Sequence, residues 1–207
     1  MTDMYRIRNW LGFLGMLLPV TLLFFILTFG KGHNPVGVLT SISATYYSSA
    51  FIFFVCLVAG VGFFLLFYQG YDIVDRIYCK IAGIGALGLV LFPCTLGTAK
   101  TWNAFMWSQS VTNILHIIFA FAFFAALILI IGFQFTKTNK LSFTGRKKKR
   151  NILYYTCAST MFAALLVGFG GNFIFGWTYS VFIGEFIALE AFGIAWIIKG
   201  GIILKDL

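Results

Sequence analysis

Two carboxylates lie in a stretch that is apolar enough to cross a bilayer. Glu185 and Glu190 fall within Val181–Trp196, among phenylalanine, isoleucine, leucine, alanine and glycine. A carboxylate in hydrocarbon costs roughly 3 kcal/mol on insertion scales. A partner, a wet cavity or a proton must offset that cost. The two glutamates are five residues apart in the chain. On a helix that is a turn of about 140°, so they do not share a face. Three other groups are candidates to meet them. These are His116, the hydroxyl-rich run Thr40–Ser49 with Ser41, Ser43 and Tyr46, and the pair Ser159–Thr160. Acid–base chemistry by Glu185 with His116 is compatible with these types. So is hydrogen bonding of a polar head group by Ser41, Ser43, Tyr46 and Glu190. The plainer reading is that each glutamate is protonated or hydrogen-bonded and fixes helix register.

Several chemistries are excluded by what the chain lacks. A zinc hydrolase site needs about three histidines with an acid, and only His33 and His116 exist. A retinal Schiff base needs a lysine inside a span, and Lys199 follows the last apolar run. The sequence has no GxSxG, no P-loop and no nucleotide fingerprint. Cys56, Cys79, Cys94 and Cys157 are far apart and read as small apolar residues. No metal and no cofactor is expected.

The elements that must position these groups follow from composition. The chain has 207 residues, 60% hydrophobic and 10% charged, against about 25% charged in soluble domains. It reads as an all-α polytopic membrane helix bundle forming one domain, residues 1–207. A net charge of +9 raises nucleic acid as a partner. The cations instead cluster in short connectors between apolar runs, as membrane topology requires. Membrane lipid is the expected partner, and another membrane protein or a second copy is an alternative one.

A span needs about 20 apolar residues. Six runs meet or approach this: 10–29, 49–69, 78–97, 113–135, 152–172 and 178–198. The first is too long for a signal-peptide core and reads as a retained span, which Pro19 is expected to bend. Arg6, Arg8, Arg76, Lys80, the run Arg146–Arg150 and Lys199 all fall on one side if there are six spans with both termini cytoplasmic. In the second connector Asp72 and Arg76 are spaced to pair at i,i+4. The run 146–150 reads as a topology anchor that attracts anionic lipid at about 1 kcal/mol per cation. Small residues on the third span (Gly83, Gly85, Gly88) and the fifth (Gly168, Gly170, Gly171) predict close helix packing. This topology places Glu185 roughly 10 Å and Glu190 roughly 18 Å below the outer edge, with His116 about one turn down. Polar chemistry is therefore expected in the outer half.

Several stretches resemble a family of small six-span bacterial membrane proteins defined by a domain of unknown function (number 998). They are Ser41-Ile42-Ser43-Ala44-Thr45-Tyr46-Tyr47, Leu66 through Asp72 with Asp75-Arg76, and Ala82-Gly83 with Leu91-Phe92-Pro93. His116 and Glu185 through Trp196 complete the match. The resemblance implies six spans and a bacterial inner (plasma) membrane location. It also implies that Ser41, Ser43, Tyr46, Asp72, His116 and Glu185 are the signature polar positions. Glu190 is not among them. The family is distantly similar to eukaryotic proteins that remodel GPI-anchor lipids. That likeness favours a lipid-handling protein, by binding or modification, with an outward-facing polar site. A proton-coupled transporter or channel and a non-catalytic subunit of a membrane assembly are the alternatives.

Overall fold

The computed structural model describes residues 2–30, 38–97, 105, 107–137 and 145–204. Among them are six long helices: α1 (Thr2–Phe29), α2 (Phe51–Phe67), α3 (Ile73–Leu91), α4 (Gln109–Leu129), α5 (Gly145–Phe175) and α6 (Ser180–Lys199). A π-helical turn, Ile130–Gln134, extends α4, and a 3₁₀ turn, Ser43–Tyr47, precedes α2. Four helices are long and apolar enough to cross a membrane: α1, α4 with its π turn, α5 and α6. The apolar α2 is shorter, with 17 residues. The opening turns of α3 carry Asp75, Arg76 and Lys80. Large apolar side chains cover the outside, with Phe121, Phe67 and Phe173 strongly exposed. In water such a surface would be costly.

The ends of the helices follow local chemistry. The Asp72 side chain accepts from the Asp75 N–H at 2.8 Å. This is the N-cap arrangement that starts α3. The expected Asp72–Arg76 pair is therefore not formed. Asp72 lies outside the helix and pairs with Lys137 at 2.7 Å, while Arg76 Nε donates to the Gln69 carbonyl. Helix α3 stops at Leu91, six residues before the end expected from hydropathy. Pro93 disfavours helical backbone at Phe92 and has no N–H to donate. Pro19, by contrast, is carried inside α1, which runs on to Phe29. The basic run is no connector: it forms the first turns of α5, and Lys147 and Arg150 are buried.

Each helix packs against its neighbours in sequence, and α6 returns to α1. Most seams close on glycine. A Cβ on Gly193 would lie 2.7 Å from the Gly12 carbonyl oxygen across the α1–α6 seam. One on Gly184 would lie 2.5 Å from the Ala164 oxygen across the α5–α6 seam. Gly83 closes on Gly62, and Gly88 lies under the Phe119 ring. Gly170 has no neighbour within 4 Å and takes no part. The α4–α5 seam differs, because these two helices touch little along their length. The π turn packs on α5 and closes the seam at its lower end only.

Candidate functional site

The open seam leads to the polar residues. The segment 38–50, ahead of α2, folds into the mouth of the bundle. Its hydroxyls hold it there: Ser41 Oγ accepts from the Ala44 N–H at 3.0 Å, and Thr45 Oγ1 donates to the Ile42 carbonyl at 2.6 Å. This turn presents the Ile42 N–H to Glu185, whose Oε2 accepts it at 2.6 Å. Glu185 is 5% exposed. It therefore ties the turn to α6 and satisfies a buried backbone donor that would otherwise be orphaned.

His116 lies opposite, 6% exposed on α4. Its Nδ1 is 2.7 Å from the Phe92 carbonyl oxygen. A carbonyl only accepts, so Nδ1 carries the hydrogen and Nε2 is left for a ligand. Phe92 can offer that carbonyl because α3 has just ended and its last carbonyls lack helical partners. Glu185 and His116 thus have separate partners, and among the described residues no hydrogen bond joins them.

Both line a groove of about 660 Å³. Ser41, Ser43, Cys94, Asn113, His116 and Glu185 form its polar end. From there it runs along α4 to Leu129. At the rise of an α-helix, His116 to Leu129 spans about 20 Å. Its flank is apolar, and Phe121, Phe162 and Leu166 on its rim are exposed. Ser43 and Glu185 also border a small cavity of about 30 Å³ among core residues of the bundle, roomy enough for a water. No charged side chain other than Glu185 lines the groove among the described residues.

Two predicted residues fall elsewhere. Tyr46 packs edge-on against Phe51 and Tyr47, with centroids 4.7 and 5.4 Å away, and supports the turn from behind. Burial pushes its phenol above its ordinary pKa. Glu190 lines neither cavity bordered by Glu185, and its Oε1 is buried without a hydrogen-bond partner. The expected meeting of one glutamate with Ser159 and Thr160 is not built. Those hydroxyls line a shallow depression with Tyr155 and Ile152. His33, Trp102 and Asn103 lie outside the described residues.

Cys94 and Asn113 join the site without having stood out in the sequence. Cys94 sits on the extended segment after Pro93, where its carbonyl accepts the Tyr47 hydroxyl. Asn113 Oδ1 accepts from the Thr95 N–H at 2.8 Å. The spacing Asn113, His116, Ala120 is the i, i+3, i+7 stripe of one helix face, and it is the signal that could have found Asn113.

No protein family, curated protein or solved structure matches this chain. The functional reading therefore rests on the groove and its residues.

Proposed function

We propose that this protein binds a membrane lipid in the groove between α4 and α5. The polar head meets Glu185, His116, Ser41 and Ser43, and an acyl chain lies along Phe121, Phe162 and Leu129. The observation that carries this reading is one continuous groove with a hydrogen-bonding end and an apolar flank open at the bundle surface. An amphipathic ligand matches both parts, and lateral opening gives it a route from the bilayer. Glu185 and His116 Nε2 are the pair that would carry acid–base chemistry on a bound head group.

The same proposal includes six spans with both termini cytoplasmic, residence in a bacterial inner membrane, and kinship with the six-span family named above. The cation distribution and the resembling stretches support these points. The proton-coupled transporter reading has Glu185 and Glu190 form a carboxylate ladder toward the midplane, and Glu190 lies away from the groove. An assembly subunit needs free small-residue faces, and most such glycines are spent on seams within the chain.

Native mass spectrometry of the wild type beside Glu185→Gln tests the reading. A discrete lipid retained by the wild type and depleted in the variant is expected. Wild type that carries no lipid, with the variant equally stable, would overturn it.

A further inference from the structure

The end of the bundle opposite the polar mouth buries positive charge. Arg8 of α1 and Lys199 of α6 are 3% and 4% exposed, and Lys147 and Arg150 of α5 are buried as well. Lys199 interacts electrostatically with the other three and with Asp75. Buried charges are ordinarily paired. Asp75 is the nearby carboxylate, yet it accepts the Tyr71 N–H at 3.0 Å. Among the described residues it forms no ion pair with Arg8 or Lys199.

The hydrogen-bond partners of Arg8 and Lys199 are neutral, and Asp75 acts on both cations only beyond ion-pair distance. Arg8 Nε donates to the Tyr68 hydroxyl at 3.0 Å, and its guanidinium lies over the Tyr71 ring. A guanidinium carries about five N–H donors, more than one phenol and a ring face satisfy. Lys199 Nζ donates to the Phe135 carbonyl at 3.1 Å. Both cations press on the ring of Tyr71, at 4.8 and 4.6 Å from its centroid. Tyr71 itself is 63% exposed, so the cluster reaches the surface through this ring.

Helix capping explains part of the arrangement. Lys147 and Lys199 donate to the same Phe135 carbonyl at the end of the π turn, where a helix C-terminus attracts cations. It does not explain Arg8, whose hydrogen-bond partner is the Tyr68 phenol. Nor does it explain the Trp196 indole N–H, fully buried and without a hydrogen-bond partner, whose ring packs on Tyr68 and Phe135. Among the described residues, donors outnumber acceptors around Arg8 and Trp196, and an anion with several acceptor oxygens would meet them.

We propose that the Arg8–Lys199 cluster beneath Tyr71 binds a phosphate group. A guanidinium fork matches phosphate oxygens in two places, and an ammonium adds a point charge. In the six-span orientation this end faces the cytoplasm, where basic pockets between helices take anionic head groups. The phosphate belongs either to a lipid of the inner leaflet or to a soluble ligand. This site is independent of the groove and of whatever fills it.

The test uses the full chain, purified in detergent and delipidated. Its thermal midpoint is followed with phosphatidylglycerol, with diacylglycerol of the same chains, and with inorganic phosphate against sodium chloride at equal ionic strength. Wild type is compared with Arg8→Gln and Lys199→Met. Phosphatidylglycerol is expected to raise the wild-type midpoint more than diacylglycerol does. The half-saturating concentration should rise about tenfold or more in each variant. Inorganic phosphate that suffices alone assigns a soluble ligand; a requirement for phosphatidylglycerol assigns a lipid. Without anion both variants should be at least as stable as wild type, because each removes a buried charge. Equal shifts with the two lipids and none with inorganic phosphate, or shifts retained in both variants, would overturn the proposal.

Discussion

At Glu185 one side chain has two tasks that substitution can separate. Its Oε2 holds the Ile42 N–H and so anchors the turn over the groove. Glu185→Gln keeps an acceptor oxygen and should unfold near the wild-type midpoint while losing retained lipid. Glu185→Ala leaves the buried N–H unmet, which costs about 1–3 kcal/mol. The two midpoints, measured in one detergent, should therefore differ. Asp72 makes a different prediction. Its hydrogen bond to Lys137 holds its carboxyl below the ordinary value of 3.8. A depressed folded pKa contributes stability above the unfolded pKa that is lost as pH falls through the folded one. Asp72→Asn preserves the cap and removes the ion pair. Its stability should lie slightly below wild type at neutral pH and converge on it below about pH 4, where the wild-type carboxyl is protonated.

Helix seams decide what the bundle can hold. The α1–α6 and α5–α6 seams bring backbones into contact through Gly12, Gly193, Gly168 and Gly184. Gly193→Val should destabilise by about 1–3 kcal/mol, because the carbonyl opposite is backbone and cannot yield. Gly170→Ala faces open space. It should be neutral or stabilising by up to about 1 kcal/mol, from helix propensity alone. Denaturant titration of the pair checks both. The α4–α5 seam is the one held apart over most of its length. Ala125→Phe places a ring in the groove. It should abolish lipid retention while the thermal midpoint holds, since it fills space instead of opening it. Loss of stability with lipid still bound would contradict this.

For the molecule as a whole, the polar chemistry is divided between two ends. The mouth carries one carboxylate, one histidine and hydroxyls; the other end carries the buried cations. The proposed six spans put the cations in the cytoplasm. A fluorescent reporter fused to either terminus should light up in cells, and a periplasmic phosphatase fused at the same places should stay silent. The reverse result at one terminus would mean an odd number of spans.

Composition alone determined the helical, membrane-suited character of the chain, and hydropathy placed all six helices to within a few residues at most of their ends. It also marked Glu185 and His116, because an ionisable group in an apolar run stands out against its background. Tertiary structure decided the rest. That Glu185 meets a backbone N–H 143 residues away could not be read from spacing. Nor could the separation of Glu190 from that site, since about 140° on a helix says that two faces differ but not what each face meets. Lys147 and Arg150 looked like connector charges because hydropathy averages over a window. Their i, i+3 spacing, with Tyr154 at i+7, continues the buried stripe of α5 one turn past the apolar run. Hydropathy registers what a residue prefers; only the assembled bundle shows which polar groups were given partners and which were left waiting for one.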